Sequence, residues 1–136
     1  WFGAVVRADM SKVVVGKDSN IQDNCTVHGD TPYPVTIGER VTIGHNCIIH
    51  GCTIGDECVI GMGSILLNGS VIPKNCLVAA GSVVTPKLQA QEGDLIAGSP
   101  ARVVRALTKE NREYLKYAYK VYVDDIKKYK NLEEIK

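Results

Sequence analysis

The sequence lacks the charge excess and the long apolar runs that mark several protein classes. Its 16 Lys and Arg residues and 15 Asp and Glu residues leave a formal net charge of +1, which gives no basic surface for nucleic acid or an anionic membrane. No apolar run approaches the roughly 20 residues that cross a bilayer, and no signal peptide is recognisable. At 136 residues the chain is expected to be one cytoplasmic domain, without nucleic-acid or membrane partners.

What the sequence does contain is an aliphatic residue at every sixth position along most of its length. The series is interrupted twice, by about four extra residues in 30–34 and by one missing residue near 51–53. This period is the signature of a parallel β-helix, in which a hexapeptide forms a strand and a corner and three hexapeptides form one triangular coil. The positions predicted to point into the prism are Val15, Ile21, Val27, Ile37, Ile43, Ile49, Ile54, Ile60, Leu66, Ile72, Val78, Val84 and Ile96.

The period changes near the end of the chain. Residues 96–104 are predicted to form the last strand of the β-helix, which is expected to occupy residues 1–105. A C-terminal α-helix is predicted within residues 106–136, because apolar and tyrosine residues then recur at three- and four-residue steps. Thr108 is a suitable N-cap. The tyrosine-rich stripe is expected to pack along the wall of the prism, as part of the same all-β domain.

The register of the repeat brings the histidines together. Three hexapeptides separate the aliphatic residue before His28 from the one before His50, so these two imidazoles are predicted to stack in adjacent coils about 5 Å apart. The same count places Arg7 one coil below His28 if residues 7–14 contain a small insertion. It places Asp23 beneath His45, on the preceding corner of the prism.

Two stacked imidazoles can share a metal ion. His45 lies one corner away and is not expected to reach that ion within one chain, but it could reach an ion held by a neighbouring chain in a threefold-symmetric trimer. Three neutral imidazoles leave one coordination position open, as in a catalytic zinc site. Zn²⁺ is therefore predicted, with Fe²⁺, Co²⁺ and nickel as alternatives of suitable ligand type. A lone corner histidine is more often a solvated surface residue, but the chain has three histidines and all lie on two neighbouring corners.

The five cysteines contain no Cys-x-x-Cys pair. Cys25 and Cys47 fall on equivalent positions of stacked coils, as do Cys58 and Cys76, and that position is the small inward-facing one. Buried free thiols that pack as small apolar groups are predicted, with thiolate ligands or a disulfide as the alternatives. This usage fits a reducing cytosol.

Several sequence runs resemble the γ-class carbonic anhydrase family. They are WFGAVVRAD, SNIQDNCTVHG, IGHNCIIHG and IGMGSILLNGSVI, with AAGSVV and GSPARVVR at the close, and they match in order and spacing from Trp1 to about Arg105. The resemblance implies a left-handed β-helix that assembles as a homotrimer with metal at each subunit interface. It implies that His28 and His50 bind a metal from one chain while His45 binds it from the next. Family members usually have one or two coils before this point, so N-terminal coils are expected to be missing.

The resemblance also implies roles for four other residues. Arg7 and Asp9 match the family's arginine–x–aspartate, which resembles an ion-pair network across the trimer interface with Asp23. Gln22 matches the glutamine that hydrogen-bonds the metal-bound water or hydroxide. These four are therefore predicted as catalytic residues of a lyase that hydrates CO2 reversibly to bicarbonate, by means of a metal-bound hydroxide.

The chain departs from the prototype of the family in its acids. Met10 stands where the prototype has a glutamate, and the loop of residues 29–34 carries only one carboxylate, Asp30, where the prototype has a long acidic loop with a proton-shuttling glutamate. We therefore expect weak hydration activity and a dependence on buffer as the proton acceptor.

Two other functional classes remain open. One is a trimeric metal-binding scaffold with little hydration activity, and the other is a hexapeptide-repeat acyltransferase, whose fold and closing GSPARVVR segment are similar. An acyltransferase has a single catalytic histidine and needs no second one stacked a coil above. Leu67 and Asn68, one coil above His50, are predicted from register to line the site.

Overall fold

The computed structural model describes residues 1–129 and is a parallel β-solenoid of about five turns with one C-terminal helix. The solenoid forms because each hexapeptide supplies one short strand and one corner. The helix, α1, spans Lys109–Tyr129. The strands are β1 (Val5–Arg7), β2 (Val13–Val15), β3 (Asn20–Ile21), β4 (Thr26–His28), β5 (Val35–Ile37), β6 (Thr42–Ile43), β7 (Ile48–His50), β8 (Thr53–Ile54), β9 (Val59–Ile60), β10 (Ile65–Leu66), β11 (Val71–Ile72), β12 (Leu77–Val78), β13 (Val83–Val84), β14 (Asp94–Gly98) and β15 (Ala101–Ala106).

Three sheets form the faces of the prism. Sheet A has the order β1-β4-β7-β10-β13, sheet B has β2-β5-β8-β11, and sheet C has β3-β6-β9-β12-β14-β15. All neighbours pair in parallel except β14 and β15. The register pairs Val27 with Ile49 and Ile37 with Ile54, so the predicted hexapeptide alignment, with its two length changes, is confirmed.

The aliphatic positions of the repeat form the core. From Val27 to Ile96, every predicted inward residue is at most 1% exposed. Burial is incomplete in the first coil, where Ile21 packs against the core but is only partly buried and Val15 is 43% exposed. Val15 pairs in register with the buried Ile37, but β2 is an edge strand of sheet B, and within residues 1–129 no strand pairs with its other side.

The cysteines line the interior beside the aliphatic residues. All five are free and buried. The thiols of Cys25 and Cys58 donate to the carbonyl oxygens of Gly44 and Pro73, each at 3.0 Å. Burial raises the pKa of the Cys52 thiol to about 12. These thiols pack as small apolar groups with a local hydrogen bond, as the repeat predicted.

The end of the solenoid differs from the prediction. Residues 96–104 were expected to form one strand, but β14 and β15 are two antiparallel strands joined by a tight turn. Gly98 adopts a φ of +105°, a conformation that favours glycine. Pro100 follows two residues later and cannot continue a ladder of hydrogen bonds through its nitrogen. The chain therefore reverses at this point.

Helix α1 begins after Thr108, whose hydroxyl oxygen accepts a hydrogen bond from the Asn111 backbone N–H at 3.3 Å. The predicted N-cap is confirmed. Leu115 and Ala118 are the buried residues of the helix and pack in one cluster with Val59 and other residues of sheet C. Residues 130–136 of the predicted helical segment lie outside the described residues.

Aromatic contacts join the later part of α1 to the first coil. The Trp1 ring lies 5.6 Å from Tyr122 and 4.9 Å from Tyr129 between centroids, both edge to face. Of the predicted stripe, Ile126 and Tyr129 are 48% and 45% exposed, so only part of it is buried on the prism. Within residues 1–129, no helix is long and apolar enough to cross a membrane.

Candidate metal centre

Two histidines lie side by side at the ends of neighbouring strands of sheet A. His28 ends β4 and His50 ends β7, and the two residues are direct register partners. Arg7 ends β1 and is the register partner of His28 on the other side. The stacking of these three residues is the stacking that the six-residue period predicted. We call this edge of the prism the paired-histidine corner.

The two imidazoles face each other through one nitrogen each. Nδ1 of His28 lies 3.1 Å from Nε2 of His50, and the ring planes are inclined at 61°. His28 is only 8% exposed. A neutral imidazole has one N–H and one lone pair, so the partners of the outer nitrogens decide what the facing nitrogens can do.

The outer nitrogen of His28 is bound by a carboxylate. Its Nε2–H donates to Oδ1 of Asp9 at 3.0 Å, and Asp9 also accepts a hydrogen bond from Arg7. Desolvation acts to raise the pKa of Asp9, but the hydrogen bonds from Arg7 and His28 outweigh it and lower that pKa below its usual value. Asp9 is thus an anionic acceptor that orients the ring. Nδ1 of His28, the inner nitrogen that faces His50, then carries the lone pair of the ring.

The outer nitrogen of His50 is bound by an amide. Its Nδ1 lies 2.7 Å from Oδ1 of Asn68, and Nδ2 of Asn68 donates to Oδ2 of Asp30 at 3.1 Å. Because the amide nitrogen is used by Asp30, the amide oxygen must accept from His50. The lone pair of His50 then lies on Nε2, towards His28. Asn68 therefore contacts the site as predicted, whereas Leu67 is partly exposed.

Both inner nitrogens consequently present lone pairs to each other at 3.1 Å. Two facing lone pairs repel unless a cation, either a shared proton or a metal ion, lies between them. Ligand nitrogens bind zinc at about 2.0–2.1 Å, so two nitrogens at this separation fit a single ion. The imidazoles of His28 and His50 therefore suit a divalent transition metal.

A third donor in the same chain was not predicted as a ligand. His28, Asp30 and His50 each offer a ligand atom, and these atoms lie within 4.8 Å of one another. Asp30 belongs to the inserted loop, where it forms an antiparallel bridge with Tyr33. The one signal in the sequence is that Asp30 is the sole carboxylate of that loop and stands two residues after His28.

The third histidine lies on a different corner, between sheets C and A. Nδ1 of His45 lies 3.1 Å from Oδ2 of Asp23, which confirms the predicted stacking of these two residues. Gln22 is 4% exposed, and its Nε2 donates to Oδ1 of Asn20 at 3.3 Å. We call the group of Gln22, Asp23 and His45 the His45 corner.

The His45 corner opens into a cavity of about 270 Å³ between the prism and α1. Gln22 and His45 line this cavity together with Met62, Tyr117 and Tyr122. The predicted site residues therefore fall into two groups within one chain. Arg7 and Asp9 join the paired histidines, whereas Gln22 and Asp23 lie with His45.

The sequence and the fold are similar to those of several known proteins. A family model described as "Hexapeptide repeat of succinyl-transferase" matches residues 34–68. "Gamma carbonic anhydrase 2, mitochondrial" of Arabidopsis thaliana is 40% identical over 130 residues, which cover 91% of this chain and 47% of that protein. The chain thus spans about half the length of this curated relative. The compartment of the present chain remains a prediction.

Two further relatives are covered more completely. "Probable carbonic anhydrase" of Methanocaldococcus jannaschii is 41% identical over 116 residues, which cover 85% of this chain and 73% of that protein. A solved structure of a hexapeptide transferase family protein from Anaplasma phagocytophilum superposes with a TM-score of 0.90 at 40% identity. That match covers 95% of this chain and 76% of the other.

Proposed function

Because the chain belongs to the γ-class carbonic anhydrase family of hexapeptide-repeat proteins, we propose that it is a metal-dependent lyase that hydrates CO2 reversibly to bicarbonate. The proposed site uses His28 and His50 of one subunit and His45 of the partner subunit, in a homotrimer. The observation that carries the proposal is the pair of inner nitrogens 3.1 Å apart, each on a ring whose other nitrogen is already bound.

The residues around the histidines hold the metal ligands in place. Asp9 and Asn68 fix the two rings of the paired-histidine corner, as outer partners of metal-bound histidines usually do. Zn²⁺ is the proposed ion, with Fe²⁺ and Co²⁺ as alternatives. A bound divalent cation of this kind lowers the pKa of water from its bulk value to about 7.

Gln22 is proposed to orient the reacting water. Its amide nitrogen donates to Asn20, whose own amide donates to the Thr42 hydroxyl at 3.0 Å. This chain of bonds fixes the amide of Gln22 and leaves its oxygen as an acceptor in the cavity that it shares with His45. A water held by that oxygen would be directed at the carbon of CO2.

Arg7, Asp9 and Asp23 are proposed to position the two corners across the interface. Arg7 and Asp9 are paired at the edge of the prism, with side chains 55% and 52% exposed, so both have surface to offer a second subunit. The relatives named as γ carbonic anhydrases and the β-helix fold are consistent with a trimer. Asp23 would then serve the interface as well as its own His45.

The test of the proposed function is metal content together with activity. The full chain, purified without oxygen, should contain about one divalent metal ion per chain and should hydrate CO2 in a stopped-flow assay. His28→Ala should lose both properties, whereas the surface variant Asp18→Asn should keep them. Wild-type protein that takes up no Zn²⁺, Fe²⁺ or Co²⁺ when offered would rule out the lyase.

Acyl transfer is the second candidate function, because the Anaplasma relative is named as a hexapeptide transferase family protein. A cavity of about 310 Å³ near the last coil is lined by Thr85, Lys87 and Arg102, together with two prolines. Its two cations could hold the phosphates of an acyl carrier such as coenzyme A. Equilibrium binding of coenzyme A, weakened by Arg102→Ala, would favour this candidate over the lyase and over a scaffold without activity.

A further inference from the structure

The loop after His28 brings a carboxylate to the metal centre. Ligand atoms of His28, Asp30 and His50 all lie within 4.8 Å of one another, and all belong to one chain. Two imidazoles and one carboxylate are a ligand set that divalent iron, cobalt and zinc accept. The resemblance to the family accounts for the two histidines but gives Asp30 no role.

The position of Asp30 is fixed by its surroundings. Its backbone forms a bridge with Tyr33, and the hydroxyl of the next residue, Thr31, donates to the Met10 carbonyl oxygen at 2.7 Å. One carboxylate oxygen, Oδ2, accepts from Asn68. The other oxygen accepts no hydrogen bond within the described part of the chain. The backbone of Asp30, its neighbour Thr31 and its own Oδ2 are thus each held in place, and one anionic oxygen is left to bind a cation.

We infer that Asp30 is a metal ligand, so that a single chain can hold a divalent cation through His28, His50 and Asp30. The inference rests on the proposed metal site and deepens it. In this arrangement the cation is loaded on the subunit before assembly, and His45 of the partner subunit adds a further donor rather than the donor that retains the ion.

A simpler role for Asp30 would be to position Asn68, and through it His50. The two roles respond differently to a conservative substitution. Asn at position 30 keeps an oxygen that can accept from Nδ2 of Asn68, but it lacks the negative charge that makes a carboxylate a strong ligand. Ala at position 30 removes both functions. A ligand is therefore distinguished from a positioning residue by comparing Asp30→Asn with Asp30→Ala.

The experiment uses the full chain stripped of metal by a chelator. Zn²⁺ affinity is measured by competition with a chromophoric chelator, and Co²⁺ absorption spectra report changes in the ligand set. The variants are Asp30→Asn, Asp30→Ala, His45→Ala and the double variant Asp30→Asn/His45→Ala. Asp18→Asn, on a different corner with a φ of +58° that Asn tolerates, is the matched control, and circular dichroism checks the fold of each protein.

A ligand role predicts that His45→Ala still binds about one Zn²⁺ per chain with reduced affinity. Adding Asp30→Asn should then lower the affinity by more than the about 10–100-fold that loss of an outer partner costs. The Co²⁺ spectrum of Asp30→Asn should also differ from that of the wild type. If Asp30→Asn matches the wild type in affinity and spectrum while His45→Ala loses the metal, Asp30 is not a ligand, and the proposed three-histidine site stands without it. Wild-type protein that binds no Zn²⁺ would overturn both proposals.

Discussion

The two corners that carry histidines are built from the same repeat but differ in how complete they are within one chain. At the paired-histidine corner, the outer nitrogens of His28 and His50 are bound by Asp9 and Asn68. At the His45 corner, one carboxylate binds one imidazole beside an open cavity. Under the proposed function, the first corner would hold a cation within the chain, whereas the second would contribute His45 to the site of a neighbouring subunit.

The physical cause of the difference lies in the turns. The His45 corner uses tight turns in which Asn24 and Asn46 adopt φ values of 60° and 59°, and these turns carry no inserted loop. The paired-histidine corner has an inserted loop that supplies Asp30. It also has Gly51, where a side chain would collide with the amide of Asn68. The inserted loop and Gly51 thus make room for Asp30 and Asn68 at the paired-histidine corner.

The largest expected effect comes from removing one histidine at each corner. His50→Ala deletes one of two facing ligands within the chain, so Zn²⁺ affinity should fall by more than about 100-fold, beyond the cost of losing an outer partner. His45→Ala should weaken binding less. Both affinities are measured by chelator competition on the full chain. Equal losses in the two variants would mean that the corners contribute equally and that neither holds the ion alone.

Substitution of the two amide residues, Asn68 and Gln22, should affect different properties: metal binding in the first case and CO2 hydration in the second. Asn68→Ala frees Nδ1 of His50 and should lower Zn²⁺ affinity by about 10–100-fold. Gln22→Ala should leave metal content unchanged and lower kcat for CO2 hydration by about 10²-fold, the scale of a misplaced reactant. Metal analysis and stopped-flow kinetics on both variants check this. A loss of metal from Gln22→Ala would contradict the assignment of Gln22 to the reaction rather than to metal binding.

Substitutions at turn residues test whether the turns cause the difference between the two corners. Gly51→Ala places a methyl group at a φ of +55° and against Asn68, so both the free energy of unfolding and the Zn²⁺ affinity should fall. Asn24→Ala should cost about 1–2 kcal/mol through its left-handed conformation alone, with the affinity unchanged. Urea denaturation and zinc competition give the two readings. Unaltered Zn²⁺ affinity in Gly51→Ala would show that the turn at Gly51 does not support metal binding.

The smallest effect concerns proton release at the paired-histidine corner. The loop there has no glutamate, and its single carboxylate is bound to Asn68, so buffer is expected to accept the proton. Turnover should rise severalfold with imidazole buffer concentration at constant pH and ionic strength. Measurable activity that does not respond to buffer would show that the chain has its own proton acceptor.

The repeat made much of this arrangement predictable from the sequence. A fixed number of residues per coil converts spacing into adjacency, which is why His28 and His50, and likewise Asp23 and His45, could be paired in advance. Asp30 could not be placed in the same way, because an inserted loop has no register and its path depends on bonds to distant residues such as Met10.

Other differences have similar causes. The exposure of Val15 depends on what lies beneath the first coil, which a period within the sequence does not describe. The reversal between β14 and β15 depends on the conformation of Gly98 and a following proline, which outweigh the apolar pattern of that segment. In each case the local pattern was correct and the neighbouring structure decided the outcome.

The buried free thiols inside the prism can be used to measure local opening of the solenoid. Cys25 and Cys76 are both fully buried, Cys25 at the start of the second coil and Cys76 two coils further on, so an alkylating reagent reaches either one only when its coil separates from its neighbours. Alkylation rates, read by mass spectrometry, would therefore report local unfolding coil by coil. Within residues 1–129, the strand beneath Cys25 is β1, an edge strand of sheet A, whereas β12, which follows Cys76, lies between β9 and β14 in sheet C. Cys25 should therefore be modified before Cys76, and the order of labelling would show from which end the solenoid frays.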